Sequence, residues 1–327
     1  MESASLTAVA ANAERHGQKA VLAAILVLIS LPALLALTEA VSFYAANRSN
    51  GTIVSAGIER EYLLYVPRSY DPAKPTPLVI SLHGGAMWPA AQMEIDRWNR
   101  VAEEHGFLLV YPSGVSGRGP RSWRSGAERG PMRDVPYISE LIDTLRASYN
   151  IDSTRVYANG LSNGGGMAFK LACTLSDRIA AVGMVGTAIF LPWSGCTDQR
   201  PVPMILFHGT ADRAALYKGG TSWVAPNVFP SIPGWTTRYA VRNRCEPTPV
   251  KWKIAPDVTR IEYPRCAENA SVVLYRIEDG GHTWPGGKPL PEWFVGRTSS
   301  SIDATAEMWN FFREHPLGQA LTTSRYQ

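Results

Sequence analysis

The chain has 327 residues, of which 45% are hydrophobic and 18% are charged, and its formal net charge is +4. This length suits one large domain with a substantial core, or two small ones. The charges are spread along the sequence without a block of five or more of one sign, which argues against a nucleic-acid-binding protein.

A long apolar segment lies near the N-terminus. Residues 21–41 read VLAAILVLISLPALLALTEAV and carry one charge, Glu39, close to the end. About 20 apolar residues can cross a bilayer as a helix, and Arg15 and Lys19 upstream place the N-terminus in the cytoplasm. We therefore predict a transmembrane signal anchor that leaves the remaining chain outside the cytoplasm. A cleaved signal peptide is the main alternative, and a buried core helix is the least favoured.

Beyond this segment, short apolar runs alternate with stretches of helical spacing. The runs have the length of strands buried on both faces of a sheet. We predict strands at 60–66, 77–82, 107–111, 155–158, 180–185, 204–207 and 272–277, and helices at 90–105, 135–149, 165–175 and 300–315. The alternation predicts an α/β fold with a mainly parallel sheet, helices on both faces, and reactive groups on loops at the carboxyl ends of the strands. We expect residues 226–265, rich in proline and tryptophan, to form an insertion or cap near the site.

The clearest chemical motif is the stretch 160–164, which reads GLSNG and fits the pattern G-x-S-x-G. It follows a predicted strand and precedes a predicted helix, which is the setting of a nucleophile elbow. In that turn the serine is held in a strained backbone conformation and its hydroxyl points out of the sheet. We therefore predict that Ser162 is a nucleophile. The alternative is a glycine-rich turn with no chemical role.

A serine hydroxyl needs a general base to react at neutral pH. Of the six histidines, His282 lies in the glycine-rich loop GGHTWPGG, after the strand at 272–277 and before the closing helix. Such a loop can bring an imidazole over the sheet edge. We predict that His282 is the base.

The base needs an acid that fixes its tautomer and stabilises the imidazolium ion. Asp212 follows a central strand within HGTAD and lies between the serine and the histidine in the chain. The resulting order Ser, Asp, His is the one expected for a parallel sheet of this type. Asp303 and Glu278 are alternatives that do not begin a loop after a central strand, and we expect His208 to be structural.

A reacting serine also needs hydrogen-bond donors that stabilise an oxyanion. The amide of Asn163, directly after the serine, is one candidate. The second donor is expected from the loop LHGGAM at 82–87, where the amide of Gly85 or Ala86 would donate. The alternative for this loop is a glycine turn without a role.

Several tryptophans lie in the same loops. We predict that Trp123 and Trp284 line the substrate pocket as a stacking wall for a sugar, an aromatic acid or a polyester chain. The alternative is buried packing, which is the commoner use of tryptophan.

The four cysteines are Cys173, Cys196, Cys245 and Cys266. None lies in a C-x-x-C pair, which argues against zinc and thioredoxin-type chemistry. An even number of cysteines outside the cytoplasm favours two disulfides, and neighbours in sequence would pair 173 with 196 and 245 with 266. Other pairings, and four buried thiols, stay open.

Together these motifs resemble the polyhydroxybutyrate depolymerase-like and the feruloyl and acetyl xylan esterase-like hydrolases of carbohydrate esterase family one. The matching stretches are PLVISLHGG, YPSGVSGRGPRSW, YNIDSTRVYANGLSNGGGMAFKLAC, VPMILFHGTAD and LYRIEDGGHTWPGG, in the family's order between residues 61 and 312. The resemblance implies the α/β-hydrolase fold, a triad of Ser162, Asp212 and His282, and disulfide-bonded cysteines.

The chain departs from this family near the expected pocket. Family members carry two adjacent acidic residues before the helix that precedes the nucleophile strand, whereas here Arg133 and Asp134 leave only one. The stretch GGTSWVAPNVFPSIPGW is also individual, and the membrane anchor differs from freely secreted members. The resemblance therefore does not fix the substrate.

The sequence predicts five parts: a cytoplasmic tail at 1–18, the anchor or signal at 19–42, a linker at 43–59, an α/β-hydrolase domain at 60–316 and a C-terminal tail at 317–327. We predict an extracytoplasmic serine esterase that hydrolyses a small ester, polyester or carbohydrate ester through an acyl-enzyme, with no metal, cofactor or nucleic-acid partner. An acyltransferase or peptidase of the same fold, or a non-catalytic polymer- or carbohydrate-binding protein, are the alternatives.

Overall fold

The computed structural model describes residues 48–115, 121–126, 134–222 and 225–318. Three predicted parts lie wholly or partly outside these ranges. They are the cytoplasmic tail and membrane segment, the linker at residues 43–47, and the C-terminal tail beyond residue 318. Within them, no helix combines the length and the apolar character that crossing a bilayer requires.

The described residues form twelve strands and seven α-helices. The strands are β1 (Gly51–Ser55), β2 (Ile58–Tyr65), β3 (Thr76–Leu82), β4 (Leu108–Pro112), β5 (Ile151–Leu161), β6 (Ala181–Val185), β7 (Met204–Gly209), β8 (Gly220–Ser222), β9 (Ala225–Phe229), β10 (Val250–Ala255), β11 (Val258–Tyr263) and β12 (Val272–Ile277). The helices are α1 (Pro89–Asp96), α2 (Trp98–His105), α3 (Asp134–Ser148), α4 (Asn163–Thr174), α5 (Ile232–Arg242), α6 (Glu292–Val295) and α7 (Ala304–Arg313).

Ten of these strands form one sheet in the order β1-β2-β4-β3-β5-β6-β7-β12-β11-β10. The six central strands, from β4 to β12, pair in parallel. At the two edges, β1 and β2 and then β10 and β11 add antiparallel pairs. The predicted mainly parallel sheet is therefore confirmed, with an antiparallel margin on each side.

The central strands are buried on both faces because helices cover each face. All seven residues of β3 are buried, and successive side chains alternate between two hydrophobic cores. On one face, α3, α4 and α5 contribute residues such as Leu141 and Phe169. On the other face, α2 and α7 contribute residues such as Trp98 and Phe312. Burying side chains of this size stabilises the fold by about 1.5–3 kcal/mol each.

The predicted helix at 90–105 is wrong in one respect, because the structure divides it into α1 and α2. Arg97 lies between them in the left-handed region, with φ at 56°. The carboxylate of Asp96 accepts a hydrogen bond from the Trp98 amide, at 3.1 Å, and so stands in for the helical acceptor that the turn removes. A bend at this point lets Asp96 turn into the core.

The stretch 226–265 is also corrected, because much of it extends the sheet instead of capping the site. β10 and β11 pair with each other and β11 pairs with β12, at the sheet edge. Helix α5 packs Trp235 and Tyr239 into the core. The closing helix begins at Ala304, four residues later than predicted, because the carboxylate of Asp303 caps it by accepting the amides of Thr305 and Ala306.

Two disulfides tie segments together on the periphery. Cys173 at the end of α4 bonds Cys196, and Cys245 after α5 bonds Cys266. This is the pairing of sequence neighbours that the cysteine spacing favoured. Closing a loop of this size stabilises a fold by about 3 kcal/mol in the chain-entropy description.

A buried polar cluster lies beneath the loops that follow β3 and β5. The carboxylate of Asp96 accepts hydrogen bonds from the Ser81 hydroxyl at 2.6 Å, the Gln92 amide at 3.0 Å and the Tyr111 hydroxyl at 3.1 Å. Ser81 Oγ also lies 3.0 Å from Asn159 Oδ1, which accepts a hydrogen bond from the Trp98 indole at 3.1 Å. Burial raises the pKa of Asp96 from 3.8 to about 7, although these hydrogen bonds oppose the rise.

The raised pKa of Asp96 predicts a stability that falls as pH rises. The folded chain holds this proton more tightly than the unfolded chain, so the contribution is full below pH 3.8 and is lost as pH approaches about 7. Between roughly pH 5 and pH 8, we expect the melting temperature of the natural chain to fall relative to that of Asp96→Asn, by about 5 °C or more. Thermal melts of both proteins at the two pH values test this, and parallel profiles would contradict it.

Candidate active site

Ser162 occupies the sharp turn between β5 and α4. Its backbone has φ at 55° and ψ at −116°, a conformation that costs a residue with a side chain about 1–3 kcal/mol. Three backbone hydrogen bonds hold it there. The Ser162 amide donates to the Val185 carbonyl at 2.8 Å, and the Ser162 carbonyl accepts from Gly166 at 3.0 Å and Ala188 at 3.1 Å. The predicted elbow therefore forms, with its strain balanced by the end of β6.

The flanking glycines are needed because the backbone packs closely here. A Cβ on Gly164 would lie 2.2 Å from the Leu82 carbonyl oxygen and 2.5 Å from that of His83. A Cβ on Gly160 would lie 2.4 Å from the carbonyl carbon of Gly164. Without side chains at these positions, the elbow can lie directly against the loop after β3.

Asp212 and His282 form a directly bonded pair. His282 Nδ1 donates to Asp212 Oδ2 at 2.8 Å, while Asp212 Oδ1 accepts the amides of Ala214 and Ala215, both at 2.8 Å. Burial alone would raise the pKa of Asp212, but the His282 imidazole, these amides and His208 outweigh it, and the pKa is lowered. Asp212 is thus a buried carboxylate, and the proton on Nδ1 leaves Nε2 of His282 as an acceptor.

Gly186 links this pair to the serine. It directly follows Val185, whose carbonyl accepts the Ser162 amide. A Cβ on Gly186 would lie 3.1 Å from His282 Nδ1 and 3.4 Å from Asp212 Oδ2. Ser162, Asp212 and His282 therefore follow β5, β7 and β12 at one end of the sheet. No hydrogen bond joins Ser162 Oγ to His282 in the described contacts, and such bonds commonly tighten only with substrate.

The loop after β3 is held rigidly by His83. Its Nδ1 donates to the Gly84 carbonyl at 2.7 Å, and its Nε2 accepts the Gly114 amide at 2.9 Å. Complete burial lowers the pKa of His83 to about 4, so the ring is neutral in this arrangement. The Trp123 indole donates to the His83 carbonyl at 2.9 Å. His83 thus orders the HGG turn without facing the serine.

The structure distinguishes between the two predicted donors in this loop. The Ala86 amide donates to the Arg121 carbonyl at 2.8 Å. Because this amide already has an acceptor, the prediction of Ala86 as an oxyanion donor is wrong. Gly85 is exposed, and a Cβ on it would lie 3.7 Å from Cβ of Asn163. Asn163 opens α4, where amides lack helical acceptors. Among the described residues, the amides of Gly85 and Asn163 donate to no other protein group, and they remain the candidate pair.

Comparison with known proteins agrees with this geometry. Residues 60–198 match the family described as Esterase PHB depolymerase. The putative esterase NocK of Nocardia uniformis subsp. tsuyamanensis is 30% identical over 278 residues, covering 76% of this chain and 78% of that protein. The chain belongs to this esterase family.

Other relatives of this chain are longer proteins. The bifunctional acetylxylan esterase/xylanase XynS20E of Neocallimastix patriciarum is 33% identical over 50% of this chain and 23% of its own length. Feruloyl esterase B of Piromyces equi is 28% identical over 70% of this chain and 44% of its own length. The chain therefore spans less than half of each of these two relatives.

A solved structure supports the fold of this chain. An acetyl xylan esterase from Aspergillus awamori superposes with a TM-score of 0.55 at 14% identity, over 80% of this chain and 98% of that one. At this level of identity the likeness shows the fold alone, which is α/β-hydrolase-like.

The prediction that Trp123 and Trp284 form a stacking wall is wrong, because both side chains are buried. Trp123 is 3% exposed, and its amide donates to Asn163 Oδ1 at 2.6 Å while Asn163 Nδ2 donates to its carbonyl at 3.0 Å. Trp284 is 1% exposed, and its indole donates to Thr305 Oγ1 at 2.9 Å. Trp123 therefore holds the side chain of Asn163, the residue after Ser162, in place. Trp284 packs in the core beneath the His282 loop.

The two acidic residues named as alternatives to Asp212 have other partners. Glu278 pairs with Arg276, and Asp303 caps α7. His208 is buried, donates from Nε2 to the Ala215 carbonyl at 2.7 Å, and lies 3.4 Å from Asp212 Oδ2. Burial lowers the pKa of His208, which agrees with the predicted structural role in supporting the acid loop.

Proposed function

We propose that the chain hydrolyses carboxylic esters by acyl transfer, with Ser162 as nucleophile, His282 as general base and Asp212 as its acid partner. The observation that carries this proposal is the Asp212–His282 hydrogen bond of 2.8 Å beside the elbow of Ser162, where a Cβ added to Gly186 would lie within 3.4 Å of both side chains. Membership of an esterase family supports the reaction class.

In the proposed mechanism, His282 Nε2 removes the proton of Ser162 as its oxygen attacks the ester carbonyl. The amides of Gly85 and Asn163 stabilise the oxyanion, and the ionised Asp212 stabilises the imidazolium ion. His282 then protonates the leaving alcohol, and an acyl-enzyme remains. Water activated by His282 attacks the acyl carbon, releases the acid and restores the Ser162 hydroxyl.

We propose an acylated carbohydrate as the substrate class. The names of two relatives refer to acetylxylan and feruloyl esters, which supports acetyl or feruloyl groups on a xylan chain. The family description favours a second candidate, a poly(hydroxybutyrate) ester. We also propose that the domain works outside the cytoplasm, because disulfides form and persist in oxidising compartments.

A fluorophosphonate probe tests the nucleophile directly. We expect one covalent adduct, mapped by peptide mass spectrometry to Ser162, with parallel loss of p-nitrophenyl acetate hydrolysis. The heat-unfolded chain should not react, because activation of the hydroxyl depends on the folded His282–Asp212 pair. An adduct on another residue, or an unlabelled chain that still hydrolyses the ester, would refute the assignment.

A panel of esters separates the substrate candidates. The panel consists of acetylated xylan, methyl ferulate and a poly(hydroxybutyrate) film, with p-nitrophenyl acetate as the common reference. We expect release of acetate from acetylated xylan, or of ferulate from methyl ferulate, at a higher kcat/KM than any release from the film. Preferential erosion of the film would identify a polyester hydrolase instead.

A further inference from the structure

The short helix α6 presents two large aromatic side chains to solvent. Trp293 is 84% exposed and Phe294 is 53% exposed. Their ring centroids lie 5.7 Å apart. Aromatic side chains of this size normally contribute large buried areas, so two adjacent exposed ones indicate a contact surface. We call Trp293 and Phe294 the aromatic rim.

The aromatic rim is fixed to the loop of the proposed base. The His282 amide donates to the Val295 carbonyl at 2.6 Å, and the Gly281 amide donates to the Arg297 carbonyl at 2.9 Å. A Cβ on Gly281 would lie 2.1 Å from the Val295 oxygen, so the two backbones are in direct contact. Phe294 precedes Val295, which places the rim one residue from the hydrogen-bond partner of His282.

The other end of this segment is also anchored. The Lys288 amide donates to the Ile95 carbonyl at 2.9 Å, and Lys288 Nζ donates to Glu94 at 2.6 Å. The segment 288–297, which carries the rim, is therefore hydrogen-bonded to other parts of the chain at both ends. Among the described residues, the only aromatic ring that Trp293 contacts is that of Phe294.

We propose that Trp293 and Phe294 form a stacking platform for the sugar rings of the polysaccharide that carries the ester, beside the proposed base His282. This inference rests on the proposed function. Sugar rings expose flat C–H faces that pack on aromatic rings, and a neutral chain needs no charged partner. The backbone hydrogen bonds between the rim's segment and the His282 loop are the reason to expect that a chain with its acyl group at Ser162 reaches the rim.

The position of the rim favours a substrate chain over a membrane. A membrane-binding surface combines apolar side chains with a basic face. Here the residue before Trp293 is Glu292, and Lys288 is paired with Glu94. The contact with the His282 loop instead relates the rim to the reacting centre.

The test compares one polymeric and one small ester in the full chain. We expect Trp293→Ala to lower kcat/KM on acetylated xylan by about tenfold relative to its kcat/KM on p-nitrophenyl acetate, mainly through KM, which corresponds to the loss of one good contact. Trp293→Phe keeps a ring and should restore most of the ratio. The matched control is Trp252→Ala, which removes a 42% exposed indole from the edge strand β10, outside the rim, and should leave the ratio unchanged.

Each other outcome overturns a definite statement. A natural chain that hydrolyses p-nitrophenyl acetate but no xylan ester refutes the proposed substrate class. A chain active on acetylated xylan whose ratio is unaffected by Trp293→Ala refutes the stacking platform alone. Reduced sedimentation of Trp293→Ala with anionic phospholipid vesicles, with an unchanged ratio, identifies a membrane contact and overturns the inference. A selective loss on poly(hydroxybutyrate) identifies a polyester contact and also overturns it.

Discussion

Ser162→Ala is expected to lower kcat/KM on p-nitrophenyl acetate by about 10⁴–10⁶-fold, because it removes the oxygen that becomes acylated in the proposed mechanism. The fold should survive. Alanine has the same steric difficulty at φ 55° as serine, and the backbone hydrogen bonds that Ser162 makes with Val185, Gly166 and Ala188 do not involve the hydroxyl. Residual activity above water is expected from the Gly85 and Asn163 amides.

Kinetics and thermal melts of the same preparations check this result. Ser300→Ala is the matched control, because it removes an exposed hydroxyl near α7 and should leave both readouts unchanged. If Ser162→Ala kept more than about a hundredth of the activity, acyl transfer through this residue would be excluded. If it lost activity together with its cooperative melt, Ser162→Cys would decide between the chemical and the structural cause.

Arg60→Ala is expected to cost about 3–5 kcal/mol of unfolding free energy, because it leaves a charge buried without its partner. The Arg60 guanidinium lies 2.7 Å from Asp134, with side-chain exposures of 5% and 0%. It also donates to the Ser113 carbonyl at 3.1 Å and lies 3.9 Å from the ring centroid of Tyr137. The melting temperature should fall by about 10 °C.

The matched control for this pair is Lys74→Ala. Lys74 and Asp71 form an ion pair of 3.2 Å, with side-chain exposures of 80% and 42%, and removing it should cost no more than about 1 kcal/mol. Urea denaturation of both variants gives the two free energies. Equal costs for Arg60→Ala and Lys74→Ala would contradict the argument that burial makes the first pair sensitive.

The central strands and the motif loops could be predicted from sequence because their causes are local. A strand buried on both faces, such as β3, is a continuous apolar run, and the elbow needs glycine at fixed positions around Ser162. The loop positions of Asp212 and His282 followed from chain order and from the strands before them. Their hydrogen bond required only that parallel strands end at one edge.

The errors arose where distant residues decide the local structure. Nothing between residues 90 and 105 marks a break, because the bend at Arg97 is set by Asp96 bonding to Ser81 and Tyr111. Which amide of the HGG loop stays available depends on Ala86 pairing with Arg121, far along the chain. The alternation in VKWKIA is a strand signal for β10, but the proline-rich composition around it favoured a cap.

Exposure of aromatic residues was the least predictable property. Trp123 and Trp284 lie in motif loops yet turn inward, where the His83 carbonyl and Thr305 Oγ1 accept hydrogen bonds from their indole N–H groups. Trp293 lies in an inconspicuous proline-flanked stretch and faces solvent. The sequence around the buried and the exposed tryptophans is similar in composition. Only the packing in the folded chain shows which indole is buried and which faces solvent.

Gly186 lies between Ser162 and the Asp212–His282 pair at the ends of neighbouring strands. Ser162, Gly186, Asp212 and His282 follow β5, β6, β7 and β12, which are four consecutive neighbours in the sheet order. Neighbouring strands stand about 4.8 Å apart, a spacing that backbone hydrogen bonding enforces throughout the molecule. The spacing of the strands therefore sets the distances between Ser162, Asp212 and His282. Changes in the surface loops can therefore alter which substrates bind without altering the reaction.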